Sequence, residues 1–382
     1  MFFLDMDTDH RESLYMMALS MVPGLSCRNQ RLLIDAVGSA GELYANRAEL
    51  DAVVSRANSK VVEALSHLEE YLPRCEQELE WAERNKISCL TINDEAYPQR
   101  LKLCEDAPLV LYYRGTADLN ASRIVSMVGT RKISDYGKRL CDSFVRDLSQ
   151  LVPDVIVMSG LAYGTDVHCH RAALDYGLDT VGVLAHGLDR IYPALHRDTA
   201  ARIVGHGGLL TEFVSGTNIT RYNFLQRNRI VAGCADATII VESALKGGSL
   251  WTASMASSYG REVYAFPGRV TDETSSGCNN LIARNAASLL LDAESFVTSM
   301  GWQEAHRHSE SLRVGVQTEM LHELTSDEER IVGVLRGRER VALSEIAMQT
   351  AIPVGRLSGM LFTLEMAGVV QMLPGSMYTL CV

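Results

Sequence analysis

Six short apolar runs, each followed by a polar or glycine-rich turn, dictate what the middle of this chain can fold into. They are IVSMV at 124, VIVMS at 155, TVGVL at 180, GLLT at 208, ATIIV at 237 and EVYAF at 262. Runs that are apolar at nearly every position need cover on both faces, the condition of parallel strands sandwiched between helices. The covering stretches lie between them: Gly137 to Leu151, Val167 to Tyr176, Asp198 to Val204, Leu225 to Gly233 and Leu250 to Tyr259. Right-handed crossovers then predict an α/β fold, a Rossmann-like doubly wound, mostly parallel sheet. Its ligand crevice should lie at the carboxyl ends of the strands.

The flanks follow other patterns. Up to about Asp118 the chain reads as largely helical, with apolar residues at three- and four-residue spacing over Leu14 to Met21, Gln30 to Val37 and Val61 to Arg84. Within it, VPGLSCRNQRLLIDAVGS places a glycine turn between two helical stretches. It is either a helix-hairpin-helix, whose backbone amides hold a DNA phosphate, or an ordinary helical hairpin packed on its neighbours. After Ser299 a polar, acidic stretch without a clear period predicts a linker. Three short helices then follow, Asp327 to Leu335, Leu343 to Thr350 and Pro353 to Met366, and GVVQMLPGSMYTLCV predicts a hairpin. Together they outline a winged helix, whose third helix carries Arg356 as its single base.

Composition narrows the function. No apolar run reaches the roughly 18 residues of a membrane span, and MFFLDMDTDHRES is too acidic for a secretory signal; a cytoplasmic protein with no membrane partner is expected. The nine cysteines form no CxxC pair, so neither a zinc site nor a disulfide framework is indicated. The net charge of −11 argues against a nucleic-acid binder. Its distribution weakens that argument, because Arg123 to Met300 holds 17 basic and 17 acidic residues and the excess lies on the flanks.

The turns after the strands carry the chemistry. In GTRKISDYG, Gly129 lets the backbone turn closely, Arg131 can hold a phosphate bidentately and Asp135 can cap the next helix. SGLAYGTDVHCH sets Gly160 and Gly164 at a helix N-terminus, an anion-binding arrangement. His168 and His170 are spaced to point to different helix faces, so no metal is expected there. HGLDRIYP and TEF add Arg190, Tyr192 and Glu212. RYNFLQRNRIVAG concentrates Arg221, Arg227 and Arg229 with Tyr222 and Phe224, a mixture suited to phosphates and stacked bases. Alternatively, Arg227 and Arg229 pair internally with Asp166, Glu212 or Glu242. ESALKGGSLWTA again opens a helix with glycines. Neither GxGxxG nor GxxxxGK[ST] is present, so ATP or NAD binding lacks its signature, and no cofactor is expected.

Taken in order, GTR, SGLAYGTD, GLDRIYP, RNRIVAG, SALKGGSLWTA, YGREVYAFPG and SSGCNNLI closely resemble the DNA-processing protein A family (DprA, also called Smf). INDEAYPQRL and DAPLVLYYRG are similar to that family's lead-in. The resemblance divides the chain into a helical module (1–85, SAM or helix-hairpin-helix-like), an extended Rossmann-like DNA-binding domain (86–300), a linker (301–324) and a winged-helix-like module (325–382). It implies a non-enzymatic protein that binds and protects incoming single-stranded DNA in natural transformation, helps to load the RecA recombinase, and forms a homodimer. By matching positions, the implied DNA-binding set is Gly129, Thr130, Arg131 and Lys132 after the first strand, and Ser159, Gly160 and Tyr163 after the second. Phe224, Arg227, Asn228 and Arg229 follow on the arginine-rich stretch, then Lys246, Gly247, Gly248 and Ser249 after the fifth strand. Arg131 would be the main phosphate contact and Phe224 the stacking residue. Two departures stand out, Tyr163 where many relatives have Lys and Leu225 where they have Pro. The sheet also resembles nucleotide-sugar and cytokinin-activating phosphoribohydrolases, with Glu212 or Glu242 as the acid or base. Their PGGxGTxxE motif is not matched by KGGSLWTAS.

Overall fold

A computed structural model describes residues 8–47, 59–302, 324–338, 340–373 and 375–381. The expected linker falls almost wholly outside these residues, as do the first seven residues of the opening segment and the proline of the expected hairpin turn.

All six apolar runs are strands of one sheet, joined by three more. In chain order they are β1 Ser88–Thr91, β2 Val110–Gly115, β3 Ile124–Val128, β4 Ile156–Ser159 and β5 Thr180–Val183. The rest are β6 Gly207–Thr211, β7 Ala237–Ile240, β8 Glu262–Ala265 and β9 Ser288–Leu289. The spatial order is β1-β2-β6-β5-β4-β3-β7-β8-β9. From β6 to β9 every pairing is parallel, while β1 with β2 and β2 with β6 are antiparallel. The chain enters at β3, steps outward through β4, β5 and β6, then crosses back to β7 on the other side of β3. That reversal is the topological switch point, so the crevice opens between the ends of β3 and β7.

Alternation along β3 explains the continuous apolar runs. Val125 and Met127 pack into one layer with Phe144 and Leu148 of the helix Asp135–Leu151 and with Cys169 of the helix Thr165–Asp175. Ile124 and Val128 point the other way, into a cluster with Ile230 of the helix Arg221–Gly233 and Ala253 of the helix Gly248–Ser258. This second cluster runs without a break into the N-terminal helices, through Leu14, Met17, Leu43 and Leu68.

The lead-in motif acts as a clamp. Arg100 is 2% exposed and pairs with Asp236 at 2.6 Å. Its other nitrogens donate to the carbonyls of Ala121 and Ser122, and Asp236 also accepts from the Ile124 amide at the start of β3.

Three local expectations change. The stretch 61–84 is not one helix but Ser59–Ser66, a 3-10 turn Leu68–Glu70 and Leu72–Arg84. Pro73 sits in the first turn of the last piece, where its missing N–H is harmless, whereas one continuous helix would need that donor. The helix after β3 is capped by Ser134, whose hydroxyl accepts from Gly137 N, and not by Asp135. The arginine-rich helix begins at Arg221, four residues early, because the Thr220 hydroxyl caps it by accepting from Asn223 N.

The tail forms the helices Ser326–Leu335, Leu343–Thr350 and Val354–Met366 with a three-stranded sheet of β10 Val341–Ala342, β11 Val370–Leu373 and β12 Met377–Leu380. It has its own core of Ile331, Leu335, Ile346, Leu357 and Leu361. Gly260 (φ +68°) lies against it, where a Cβ would meet Val354 at 2.5 Å. Among the described residues no helix is long and apolar enough to cross a membrane.

Candidate nucleic-acid interface

The loops after β3 and β7 are stapled together. Thr130 N donates to the Glu242 carbonyl (2.8 Å), and Thr130 O accepts from Thr165 N (3.1 Å). Gly129 has no room for a side chain, since a Cβ would collide with the Thr165 hydroxyl and the Glu242 carbonyl. The Glu242 carboxylate, 1% exposed, accepts from Ser134 N (2.8 Å), Ser134 Oγ (2.5 Å) and Thr274 Oγ1 (3.3 Å). One acid thus ties the turns after β3 and β8 to the end of β7. Pinned this way, the backbone presents Arg131 and Lys132 to solvent. The Arg131 guanidinium carbon lies 5.1 Å from the Phe224 ring centroid, a cation–π arrangement. Gly164 (φ +75°) is required beside it, because a Cβ there would meet the Arg131 carbonyl carbon at 2.6 Å.

The other two expected arginines are internal. Arg227 is 3% exposed, and one of its nitrogens donates to the carbonyls of Gly160 and Val183 at the ends of β4 and β5. Gly160 is glycine because the guanidinium occupies the space of its Cβ. Burial pulls Arg227 down to about 10, while Asp166 pulls the other way; burial raises Asp166, and Arg227 draws it back. Arg229 is 5% exposed and ion-paired with Glu212, with Cys27 Sγ 3.4 Å from the same nitrogen. Neither arginine lines the open crevice as the phosphate-contact expectation required; both follow the internal alternative, Arg229 through Glu212 and Arg227 chiefly through backbone carbonyls.

The remaining expected residues divide by exposure. Tyr163, Lys246 and Gly248 are exposed, and Asn228, Phe224 and Gly247 are half-buried. Ser159 is enclosed, its hydroxyl donating to Met127 O (2.6 Å), and buried Ser249 donates to Ser243 Oγ (2.9 Å). Tyr163 packs its ring edge-on to His196, 5.2 Å between centroids. His170 is fully buried with Nδ1 at 2.7 Å from Thr180 Oγ1, and burial drives it down to about 3, so it is neutral.

Tyr192 was singled out in its loop but not placed in the expected set. It is 45% exposed, with its ring 6.0 Å from Phe224. Tyr222, 65% exposed, stands on the first turn of the same helix as Phe224. The signal for both was aromatic residues flanking arginines on loops at one sheet edge. Electrostatically, the acids Asp166, Glu212 and Glu242 are consumed inside the protein. Among the described residues no ion pair holds Arg131, Lys132 or Lys246, so this edge is locally basic within a neutral domain.

Comparison with known proteins identifies the family to which the fold belongs. The family model for DNA recombination-mediator protein A matches residues 88–301, and that for the DprA winged helix domain matches residues 317–376. A putative DNA processing protein DprA from Mycobacterium tuberculosis is 36% identical over 313 residues, covering 78% of this chain and 79% of that protein. The X-ray structure of DNA processing protein A from Streptococcus pneumoniae superposes with a TM-score of 0.59 at 27% identity, over 75% of this chain and 97% of that one. The DNA processing protein A of Helicobacter pylori, described for its single-stranded DNA binding mode, gives 0.51 at 26% identity over 57% and 96%. A family model spanning more than half of the chain and a relative alike over most of both lengths lead to one conclusion: the chain belongs to the DNA recombination-mediator protein A family.

Proposed function

We propose that this protein binds single-stranded DNA in the crevice between β3 and β7, without catalysing a reaction on it. The observation that carries this reading is Arg131, an exposed guanidinium held over the Phe224 ring with no carboxylate partner among the described residues. Arg131 grips a phosphate, Lys132 and Lys246 add charge beside it, and the backbone at Gly248 opens a helix toward the same edge. Phe224, with Tyr192 and Tyr163 nearby, offers ring faces to bases of any identity. Arg227 and Arg229 brace the loops from within. Glu212 and Glu242, the residues a phosphoribohydrolase-like reaction would use, are occupied by Arg229 and by Ser134 and Thr274, which favours a binding role. In the cytoplasm the protein shields incoming strands during transformation, helps to load RecA recombinase, and works as a homodimer; the family membership supports this part.

The test is fluorescence anisotropy of a labelled oligo-dT and a duplex of equal length over a salt series, with wild type beside Arg131→Ala. Tight, salt-sensitive preference for the single strand, weakened in the variant, is expected. No binding at low salt would overturn the reading.

A further inference from the structure

A second cleft opens beside Ser134, the residue bonded to the Glu242 carboxylate. The first turns of the helix Asp135–Leu151 face the loop after β8 across a cavity of about 640 Å³, lined by Ser134, Tyr136, Arg139, Pro267, Arg269 and Asp272. The size is that of a ligand site. Tyr136 fixes the walls, since its hydroxyl donates to Pro267 O (2.9 Å), yet its ring stays 39% exposed. Arg139 and Arg269 are exposed, and among the described residues neither is ion-paired. Asp272 is the single carboxylate on the lining, and neighbouring Asp135 is held by Lys138 at 2.8 Å. Two free guanidiniums and a phenol ring, against one acid, suit a phosphodiester and a base.

The cleft is rigidly continuous with the crevice. Ser134 lines it and is bonded to Glu242, which also holds Thr274, two residues along the chain from the lining Asp272. β3 and β8 lie two strands apart across β7, roughly 10 Å at the usual strand spacing, a short step for an extended strand.

We infer that this cleft is a second subsite, which takes a phosphate and base of the same DNA strand beyond the nucleotide held at Arg131. The inference rests on the proposed binding at Arg131. Arg139 and Arg269 contact the onward phosphates, Tyr136 stacks the accompanying base, and the strand leaves the crevice across β7 and β8.

Strand length separates the two sites. Anisotropy would use oligo-dT of about 6 and about 16 nucleotides, within the span of known single-strand site sizes. The variants are Arg131→Ala, Arg139→Ala/Arg269→Ala, and a control of equal charge change, Arg146→Ala/Arg202→Ala, removing exposed arginines paired with Asp147 and Asp175. The cleft variant should bind the long strand at least about 100-fold more weakly, with the salt slope reduced by about 1.4, while the short strand is unaffected; Arg131→Ala weakens both. Wild-type affinity and slope for the long strand in the cleft variant would overturn the subsite and leave the crevice standing. Equal losses on both lengths, or an equal loss in the control, would overturn it too. Wild type binding neither length would remove the crevice and the subsite together.

Discussion

Replacing Arg131 and Arg227 by alanine, one at a time, separates a guanidinium that meets the ligand from one that holds the frame. Arg131 is exposed and its guanidinium lies over the Phe224 ring, so its loss should move folding stability by no more than about 0.5 kcal/mol, as for other surface changes. Binding should suffer instead. A charge-assisted hydrogen bond to phosphate contributes about 1.5–3 kcal/mol, a loss of roughly 10- to 150-fold in affinity. Losing one phosphate contact on a single strand also lowers the salt slope by about 0.7, so the gap to wild type narrows about 2.6-fold between 50 and 200 mM salt. Arg227→Ala acts differently. It strips the carbonyls of Gly160 and Val183 of their donor in a buried site, at about 1–3 kcal/mol each, and removes the positive charge that most offsets the burial of Asp166. The assay is paired: anisotropy against oligo-dT over salt, and thermal unfolding of the same preparations. Arg131→Ala should lose affinity at unchanged melting temperature, whereas Arg227→Ala should lose several degrees of melting temperature. If Arg227→Ala folds as well as wild type and lowers the salt slope by the amount expected for Arg131, the bracing role is refuted and Arg227 is itself a contact.

Three further perturbations probe other parts. Phe224→Ala should weaken oligo-dT binding by about 1–3 kcal/mol with little change in salt slope, read in the same anisotropy series; an altered slope would mean that the ring acts mainly by positioning Arg131. Glu212→Ala removes the partner of a buried guanidinium and should destabilise the fold by about 3–5 kcal/mol, measured by urea unfolding, with Glu212→Ala/Arg229→Met recovering much of the loss. Burial raises Glu262 to about 7, with Ser376 of the winged helix pulling the other way. The folded chain therefore keeps a proton between about pH 4.5 and 7 that the unfolded chain releases, so this group's contribution to stability declines as pH rises through that window and levels off above it. Thermal unfolding across pH of wild type and Glu262→Gln should show that decline in their difference.

The sheet was legible because strands covered on both faces leave an unmistakable run of apolar residues, and the helix starts were off by only a few positions. β2 carries a similar run, Leu109 to Tyr113, but it and INDEAYPQRL are read only through the resemblance. The physical content of INDEAYPQRL is Arg100, closed over Asp236, a pairing across 136 residues that no local window can see. The site was legible in its loops and less so in its arginines. On the helix Arg221–Gly233, Arg227 precedes Ile230 and Val231 by three and four residues and follows Asn223 by four, and all four are buried. Helical phase alone would have turned Arg227 inward. Arg229 lies on another face, where Glu212 and, from the N-terminal helices, Cys27 meet the same nitrogen, partners far apart in the chain that helical phase does not show.

That division of the arginines also resolves how a chain of net charge −11 can present a site for phosphates. The acids at the carboxyl edge of the sheet are not a repulsive rim, because Glu212 faces Arg229, Asp166 lies beside Arg227 and Glu242 is saturated by hydroxyl and amide donors. Each acid is spent on holding a loop. The exposed bases Arg131, Lys132 and Lys246 keep their charge unopposed, and the acidic excess sits on the flanking modules. With a screening length of about 8 Å at physiological ionic strength, more distant flanking charges contribute little at the crevice. The field a strand meets there is set by which side chains the fold buries, and the sum over the sequence is a poor guide to it.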